Sequence, residues 1–383
     1  MSKLLIVTTV PETLATILKS QPKYLSQFHN VEIATSQDET FKVVAKNEGV
    51  RVHAVPMERG ISPWRDLLSL FYFIRMLQVV RPDIVHSYTP KAGLISMLGA
   101  WITRVPVRVH TFTGLIFPTS RGFRRFLLLT IDKLVCACAT HVVPEGNGVR
   151  TELIRHRVCA QPREVIGSGN IAGVDTAYYD PSLLECREAA AALREKLGIE
   201  KSEFVFCYVG RLNKDKGIEE LIEAFSSLQG ARLLIAGSLD ASAPVSQHVM
   251  DAIASHPRVH HLGFVEDVRA VVLASSILVL PSYREGFPNV LLQACALEVP
   301  AITTDIVGSN EIITAGSNGW VVPARDTTSL REAMNEAMRL GRNQLSAMGR
   351  SGRNLVLEKF ERRSHWERMR QFYDGLSKKR VHE

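Results

Sequence analysis

Four side chains in the second half of the chain are spaced for phosphate and sugar chemistry. Arg211 and Lys216 stand close together in VGRLNKDKG, and Glu285 and Gln293 are eight positions apart in SYREGFPNVLLQ. Arginine offers a planar fork for phosphate oxygens and lysine a mobile point charge. Two cations leaving one strand therefore suit a diphosphate, although a solvated basic turn has the same composition. In the second stretch SYREG reads as a polar turn, and Pro288 or Asn289 as a helix start, since proline is tolerated in a first helical turn. Free N–H groups and the helix dipole there favour a phosphate. Glu285 would then face a sugar, because phosphates repel it. Gln293, on an otherwise apolar helix and tilted back toward its start, needs hydrogen-bond partners if buried. Ribose hydroxyls match an amide, which both donates and accepts.

The elements that must position these groups alternate along the chain. Strand-like runs at 4–9, 31–35, 50–55, 83–87, 107–112 and 140–143 are separated by helix-like runs at 11–28, 63–80, 90–103 and 121–138. The second half repeats the pattern, with strands at 204–210, 232–237, 259–263, 277–281 and 301–303 and helices from about 182 to 197 and from 217. Short apolar strands alternating with helices indicate parallel sheets covered on both faces. The expected fold is α/β, with two doubly wound domains, residues 1–170 and 171–360. The Gly-rich, Pro-closed segment 165–181 between them suits a hinge. A terminal helix, 361–379, is expected to pack back on the first domain. Ligands of open α/β sheets lie at the carboxyl ends of the strands. A third such end is Gly263, after which the backbone of Phe264 and Val265 is placed to meet a nucleobase edge. A capped helix starting at Glu266 and Asp267 is the plainer reading of that stretch.

Composition narrows the function classes. The chain has 383 residues, 46% apolar and 22% charged, and a net charge of +7. That is enough apolar material for two cores, with a basic balance that suits phosphate or an anionic membrane as well as an ordinary basic surface. The six cysteines show no CxxC pair and no His/Cys spacing of a zinc site, so no metal is expected, and a reducing cytosol is. The basic residues are dispersed and no nucleic-acid module appears. The run 67–80 contains Arg75 and is too short for a membrane span, and the first residues fit a strand better than an export signal.

Taken together the motifs resemble a family 4 retaining glycosyltransferase of the GT-B fold, of the kind that builds bacterial capsular polysaccharide and O-antigen. The resemblance runs through HSYTPKAGL (86–94), RVHTFTGL (108–115), VIGSGNIAGVDT (165–176), GRLNKDKG (210–217), LGFVEDV (262–268), the Glu-x7-Glu motif as Glu285-GFPNVLL-Gln293, and DIVGSNEII (305–313). It implies two Rossmann-like domains facing a central cleft. It implies that Arg211 and Lys216 grip the donor diphosphate, that Glu285 contacts the transferred sugar, and that Gly286, Phe287 and Asn289 supply loop amides. Gln293 stands where a second Glu usually holds the ribose, and His110 matches a histidine near the sugar.

The implied activity is transfer of a hexose or N-acetylhexosamine, with retention, from a nucleotide diphosphate sugar, expected to be UDP-linked, to an undecaprenyl-diphosphate saccharide. Neither a cofactor nor a metal is expected, since cations and helix N-termini would stabilise the leaving diphosphate. A nucleotide-sugar epimerase of the same fold, or an inactive nucleotide-sugar-binding relative, is the alternative. The first strand is followed by TTVPETLATIL, without the family's glycines, so Thr8 to Glu12 are expected to face the acceptor. His86 and Lys91 are read as a strand-end loop on the cleft, Lys91 being placed for an acceptor phosphate or standing merely exposed. The stretch 114–134 mixes Phe117, Phe123 and Phe126 with Arg121, Arg124 and Arg125. It is either a core helix with a basic start or a site of peripheral attachment to the anionic inner face of the plasma membrane, which would leave the protein cytoplasmic.

Overall fold

Strands such as LLIV and ILVL have no polar face and must be covered on both sides. In the computed structural model, which describes all residues except Arg59, Ile61, Ala241, Ser242, 380–383 and the side chains of Lys378 and Lys379, they form two six-stranded parallel sheets. The first contains β1 (Lys3–Val7), β2 (Asn30–Thr35), β3 (Arg51–Ala54), β4 (Ile84–Ser87), β5 (Val107–Phe112) and β6 (His141–Pro144), in the order β3-β2-β1-β4-β5-β6. The second contains β7 (Phe204–Val209), β8 (Ala231–Ala236), β9 (Val259–Gly263), β10 (Ile277–Leu280), β11 (Ala301–Thr304) and β12 (Gly319–Val322), in the order β12-β11-β10-β7-β8-β9. Both are the same doubly wound arrangement. In each, the winding direction reverses between the first and fourth strands, β1 and β4 in one, β7 and β10 in the other. The loops that leave the strands there diverge and open a crevice.

The chain divides into two compact units, Val174–Glu361 and, as the other, Met1–Gly173 together with the chain from Arg362 on. The helix Arg362–Lys379 belongs to the first unit because its apolar stripe completes that core: Met369, Tyr373 and Leu376 are buried with Leu4, Ile6, Ile33 and Ile84. Tyr24 donates to Glu367 at 2.9 Å on the rim of the same contact.

Several elements differ from the sequence expectation, each for a local reason. The run 11–28 is two short helices, Glu12–Thr16 and Gln21–Leu25, broken at Ser20, whose φ is +65°. Pro22 fits only a first helical turn, and the carboxylate of Glu48 accepts from the N–H groups of Ser20 and Lys23 at 2.8 and 3.1 Å, capping the second helix from outside. The helix after β9 starts at Arg269, not at Glu266–Asp267. Asp267 instead accepts from the backbone and guanidinium of Arg269. β5, by contrast, has the expected bounds, Val107–Phe112, with His110 inside it. β12 and the helices Asn147–Arg155, Thr327–Arg339 and Arg342–Lys359 were not among the expected segments.

Candidate functional site

In the second unit the two loops at the reversal point are 210–217 after β7 and 281–288 after β10, and they carry three of the four residues singled out above. Lys216 Nζ lies 2.5 Å from Glu285 Oε1, across a sequence separation of 69 residues, with both side chains mostly buried. Ser282 donates to the same carboxylate oxygen at 2.7 Å. Ser282 is fully buried and its carbonyl accepts from the hydroxyl of Thr304 on β11. The N–H of Tyr283 donates to the carbonyl of Asp215 at 2.8 Å, and Arg284 pairs with the Asp215 carboxylate at 2.9 Å. The Tyr283 hydroxyl reaches Glu220 at 2.5 Å. The two loops are therefore one hydrogen-bonded unit rather than two adjacent ones. Ser282 escaped the sequence reading, and its position three residues before Glu285 was the signal available for it.

Gly217 makes this joining possible. Its φ is +65°, and a Cβ there would stand 2.1 Å from the carbonyl oxygen of Pro281. Beyond the loop, Pro288 caps the helix Asn289–Ala296, so the first N–H at that helix start belongs to Asn289. Phe287 points inward and packs on Phe360, ring centroids 5.5 Å apart, so only its backbone faces the loop surface. Gly286 turns its carbonyl onto Gly308, packed too closely for any side chain there. Gln293 lies one turn into the helix, half-buried, and its amide makes no hydrogen bond among the described residues.

The structure does not join Arg211 to Lys216 as one basic pair. Arg211 is exposed and bonds to Asp240 at 2.8 Å, an oxygen it shares with Asn213 at 3.2 Å. Val265 follows β9, two strands away from β7, and is half-buried against the core, while Phe264 is exposed.

His110 lies in the first unit. It is buried, its Nδ1 is 2.8 Å from the Ser87 hydroxyl, and its ring meets Phe112 edge-on at 4.5 Å. Burial lowers its pKa to about 3, so the imidazole is neutral at pH 7 and offers hydrogen bonds without charge. Four expectations for this unit are corrected. Thr8 and Thr9 do not face outward: they are buried, Thr8 bonding at 3.1 Å to Thr35 at the end of β2, and Thr9 bonding at 2.6 Å to Thr89 across the β1–β4 reversal. His86 is a core residue held by Tyr373 at 2.6 Å and Thr111 at 2.7 Å, which clamps the terminal helix. Lys91 is neither free nor merely exposed, because its ammonium is paired with Asp66. Phe117 is likewise buried rather than on a membrane-facing surface, its ring edge-on to His156.

Comparison with known proteins adds to this geometry. Residues 190–355 match the family model "Glycosyl transferases group 1", and residues 22–169 match "Glycosyl transferase 4-like domain". The chain is 30% identical to the Staphylococcus aureus capsular polysaccharide biosynthesis glycosyltransferase CapM, over 95% of this chain and 97% of that protein. It is 26% identical to the Escherichia coli UDP-Gal:alpha-D-GlcNAc-diphosphoundecaprenol alpha-1,3-galactosyltransferase, over 82% and 81%. Among solved structures, the Anabaena protein HepE in complex with UDP and glucose superposes with a TM-score of 0.80 over 99% of this chain and all of that one, at 17% identity.

Proposed function

The chain belongs to the group 1 glycosyltransferases of GT-B fold, and on that premise we propose that it transfers a hexose or N-acetylhexosamine, with retention, from a UDP-sugar to an undecaprenyl-diphosphate saccharide in surface polysaccharide synthesis. The observation that carries this reading is the Lys216–Glu285–Ser282 cluster at the β7–β10 reversal, where ligands of open α/β sheets bind. CapM and the galactosyltransferase support the choice of pathway and acceptor by what their names say of them.

The chemistry follows from the groups present. When a diphosphate enters, Lys216 exchanges its partner Glu285 for a phosphate oxygen, and Arg211 turns from Asp240 to a second one. Being exposed, Arg211 can do so at little cost. The N-terminus of the helix Asn289–Ala296 adds dipole stabilisation to the charge that develops on the leaving group. Glu285, released by Lys216 but still held by Ser282, orients the sugar. A phosphate oxygen of the donor takes the acceptor's proton as the glycosidic bond to the nucleotide breaks and the new one forms on the same face. His110 supplies a neutral hydrogen bond to the transferred sugar. The charge balance comes from the chain's own cations, without a metal ion.

Gln293 is read as the ribose ligand. An amide bonds a hydroxyl without the charge assistance of a carboxylate, a difference of about 1–2 kcal/mol. Gln293→Glu is therefore expected to tighten UDP binding about tenfold by calorimetry. Equal or weaker binding would remove Gln293 from the ribose site.

We also propose peripheral attachment to an anionic membrane through the first unit. No helix among the described residues is long and apolar enough to cross a bilayer. The helices Pro63–Val80, Pro90–Ile102 and Gly122–Cys138 pack side by side. They leave Trp64, Leu67, Phe71, Trp101, Phe123 and Phe126 exposed. Arg121 and Arg124 are exposed beside the phenylalanines, and Arg125 is half-buried near His156. Aromatic and aliphatic groups with adjacent arginines suit a headgroup boundary, each cation near the surface contributing about 1 kcal/mol. Co-sedimentation with phosphatidylglycerol vesicles should fall at least tenfold in the triple variant Arg121→Glu, Arg124→Glu, Arg125→Glu, and unchanged partition would dismiss the surface.

The whole reading is tested by a panel of nucleotide sugars offered with undecaprenyl-diphosphate monosaccharides. Product mass identifies the sugar moved, and the anomeric coupling constant of the product reports retention. An inverted product would refute the mechanism. Donor turnover to a free epimeric nucleotide sugar, with no transfer, would favour the epimerase.

A further inference from the structure

The first unit contains a cavity of about 150 Å³ between the helices Pro63–Val80, Pro90–Ile102 and Gly122–Cys138 and the end of β5. Leu94, Phe112, Leu128 and Ile131 give it hydrocarbon walls. Besides Tyr88, whose hydroxyl bonds to that of Tyr373, four ionisable side chains also line it, and three are already satisfied. Lys91 and Asp66 neutralise each other from the two facing helices, and His110 is neutral and bonded to Ser87. The fourth is Asp132, next to Ile131 on the third helix. Its carboxyl has no hydrogen-bond or ionic partner among the described residues. Among the described residues no cation pairs with it: the lysine of the cavity is spent on Asp66, and the ionisable neighbour one turn along its own helix is the thiol of Cys136.

Such a group is a cost to the fold. A leucine at this position would extend the wall made by Leu128 and Ile131, whereas a half-buried carboxyl without a partner must give up hydration for nothing. The cost is recovered only when a polar molecule enters. A phosphate does not qualify, because two carboxyl groups face the space and its one ammonium is neutralised. A hydrocarbon chain does not qualify either, since it leaves Asp132 unsatisfied. A sugar ring meets both demands, with C–H faces for Leu94 and Phe112 and hydroxyl or acetamido groups for the carboxyl.

We infer that Asp132 reads the saccharide of the acceptor, hydrogen-bonding its hydroxyl or acetamido groups in this cavity and selecting a sugar-bearing lipid over a bare one. The inference rests on the proposal above that the acceptor is a lipid-linked saccharide. Burial independently raises the Asp132 carboxyl to about 7, so near neutrality it changes from a group that donates and accepts to one that only accepts. Acceptor affinity then varies with pH around 7, while donor affinity does not follow it.

The test uses the full chain with GlcNAc-diphosphoundecaprenol as acceptor and farnesyl diphosphate as a sugarless probe. Asp132→Leu should melt a few degrees higher than the wild type and raise the acceptor KM about tenfold or more, with the donor KM unchanged. Asp132→Asn, which keeps size and polarity, should fold normally, raise the acceptor KM less, and abolish its change between pH 6 and 8. An unchanged acceptor KM in both variants would overturn the inference. So would tighter binding of farnesyl diphosphate by the leucine variant with no loss of the saccharide, which would assign the cavity to the prenyl chain. Saturation-transfer NMR with methyl N-acetylglucosaminide, wild type against Asp132→Leu, reads the same contact without turnover. A chain that binds this glycoside through Asp132 yet transfers nothing to GlcNAc-diphosphoundecaprenol would refute the acceptor proposed above and leave Asp132 as a sugar ligand.

Discussion

Replacing Lys216 by methionine lowers sugar transfer by about 10²–10³-fold, the usual effect of removing one preorganised charge from a developing anion. The variant also loses stability, because Glu285 is left mostly buried with only Ser282 as a partner; a cost of about 1–3 kcal/mol is expected for such an orphaned group. Glu285→Gln keeps the bond from Ser282 and is milder in stability, yet it also loses transfer because the amide no longer orients the sugar as a charged acceptor. The double variant Lys216→Met, Glu285→Gln separates the two roles. With neither charge left, its stability returns to within about 1 kcal/mol of the wild type, as expected when both members of a buried pair are removed. Its activity does not return. Arg211→Ala gives the contrasting pattern, a rise in donor KM with a stability change of under about 1 kcal/mol, because the guanidinium is exposed and the mostly buried Asp240 keeps its bond from Asn213. Thermal melts and initial rates on the same preparations decide the matter. If the double variant recovered transfer along with stability, the pair would be a structural tie and the diphosphate assignment would fail.

That pair also marks the limit of what the sequence discloses. The strands were legible because strands covered on both faces are almost continuous apolar runs, and the repeated alternation fixed the doubly wound class. β12 was not, being four residues, Gly319–Val322, at a sheet edge. Lys216 and Glu285 were each legible from type and setting, but their contact was not, because nothing local links residues 69 apart. The same holds for His86 and Tyr373, 287 residues apart. A histidine at a strand end reads as reactive until the helix that buries it is known. Lys91 failed in the same manner, its partner Asp66 lying one helix earlier. Residue types and strand ends disclosed where chemistry is possible. Which charges are already spent on each other is a property of the fold.

Gly217→Ala should be more damaging than its size suggests. Two effects act at this position. The first is conformational: a φ of +65° costs a non-glycine residue about 1 kcal/mol. The second is steric, because the new Cβ would lie 2.1 Å from the carbonyl oxygen of Pro281, an atom of backbone that cannot rotate away. Gly49 separates them. Its φ is +64°, at the end of the helix Glu39–Glu48, and a Cβ there meets nothing within 4 Å. Gly49→Ala therefore measures the conformational cost alone, about 1 kcal/mol. Gly217→Ala should cost about 3 kcal/mol or more, since relief requires the strand end at Pro281 to move. That movement pulls on Ser282 and Tyr283, and through them on the carboxylate that Lys216 faces. Transfer should accordingly fall at least tenfold in Gly217→Ala at temperatures where the variant is still folded, while Gly49→Ala remains fully active. Equal melting temperatures for the two variants would mean that loops 210–217 and 281–288 are not held against each other. The cluster of Lys216, Glu285 and Ser282 would then lose the scaffold on which its proposed chemistry depends.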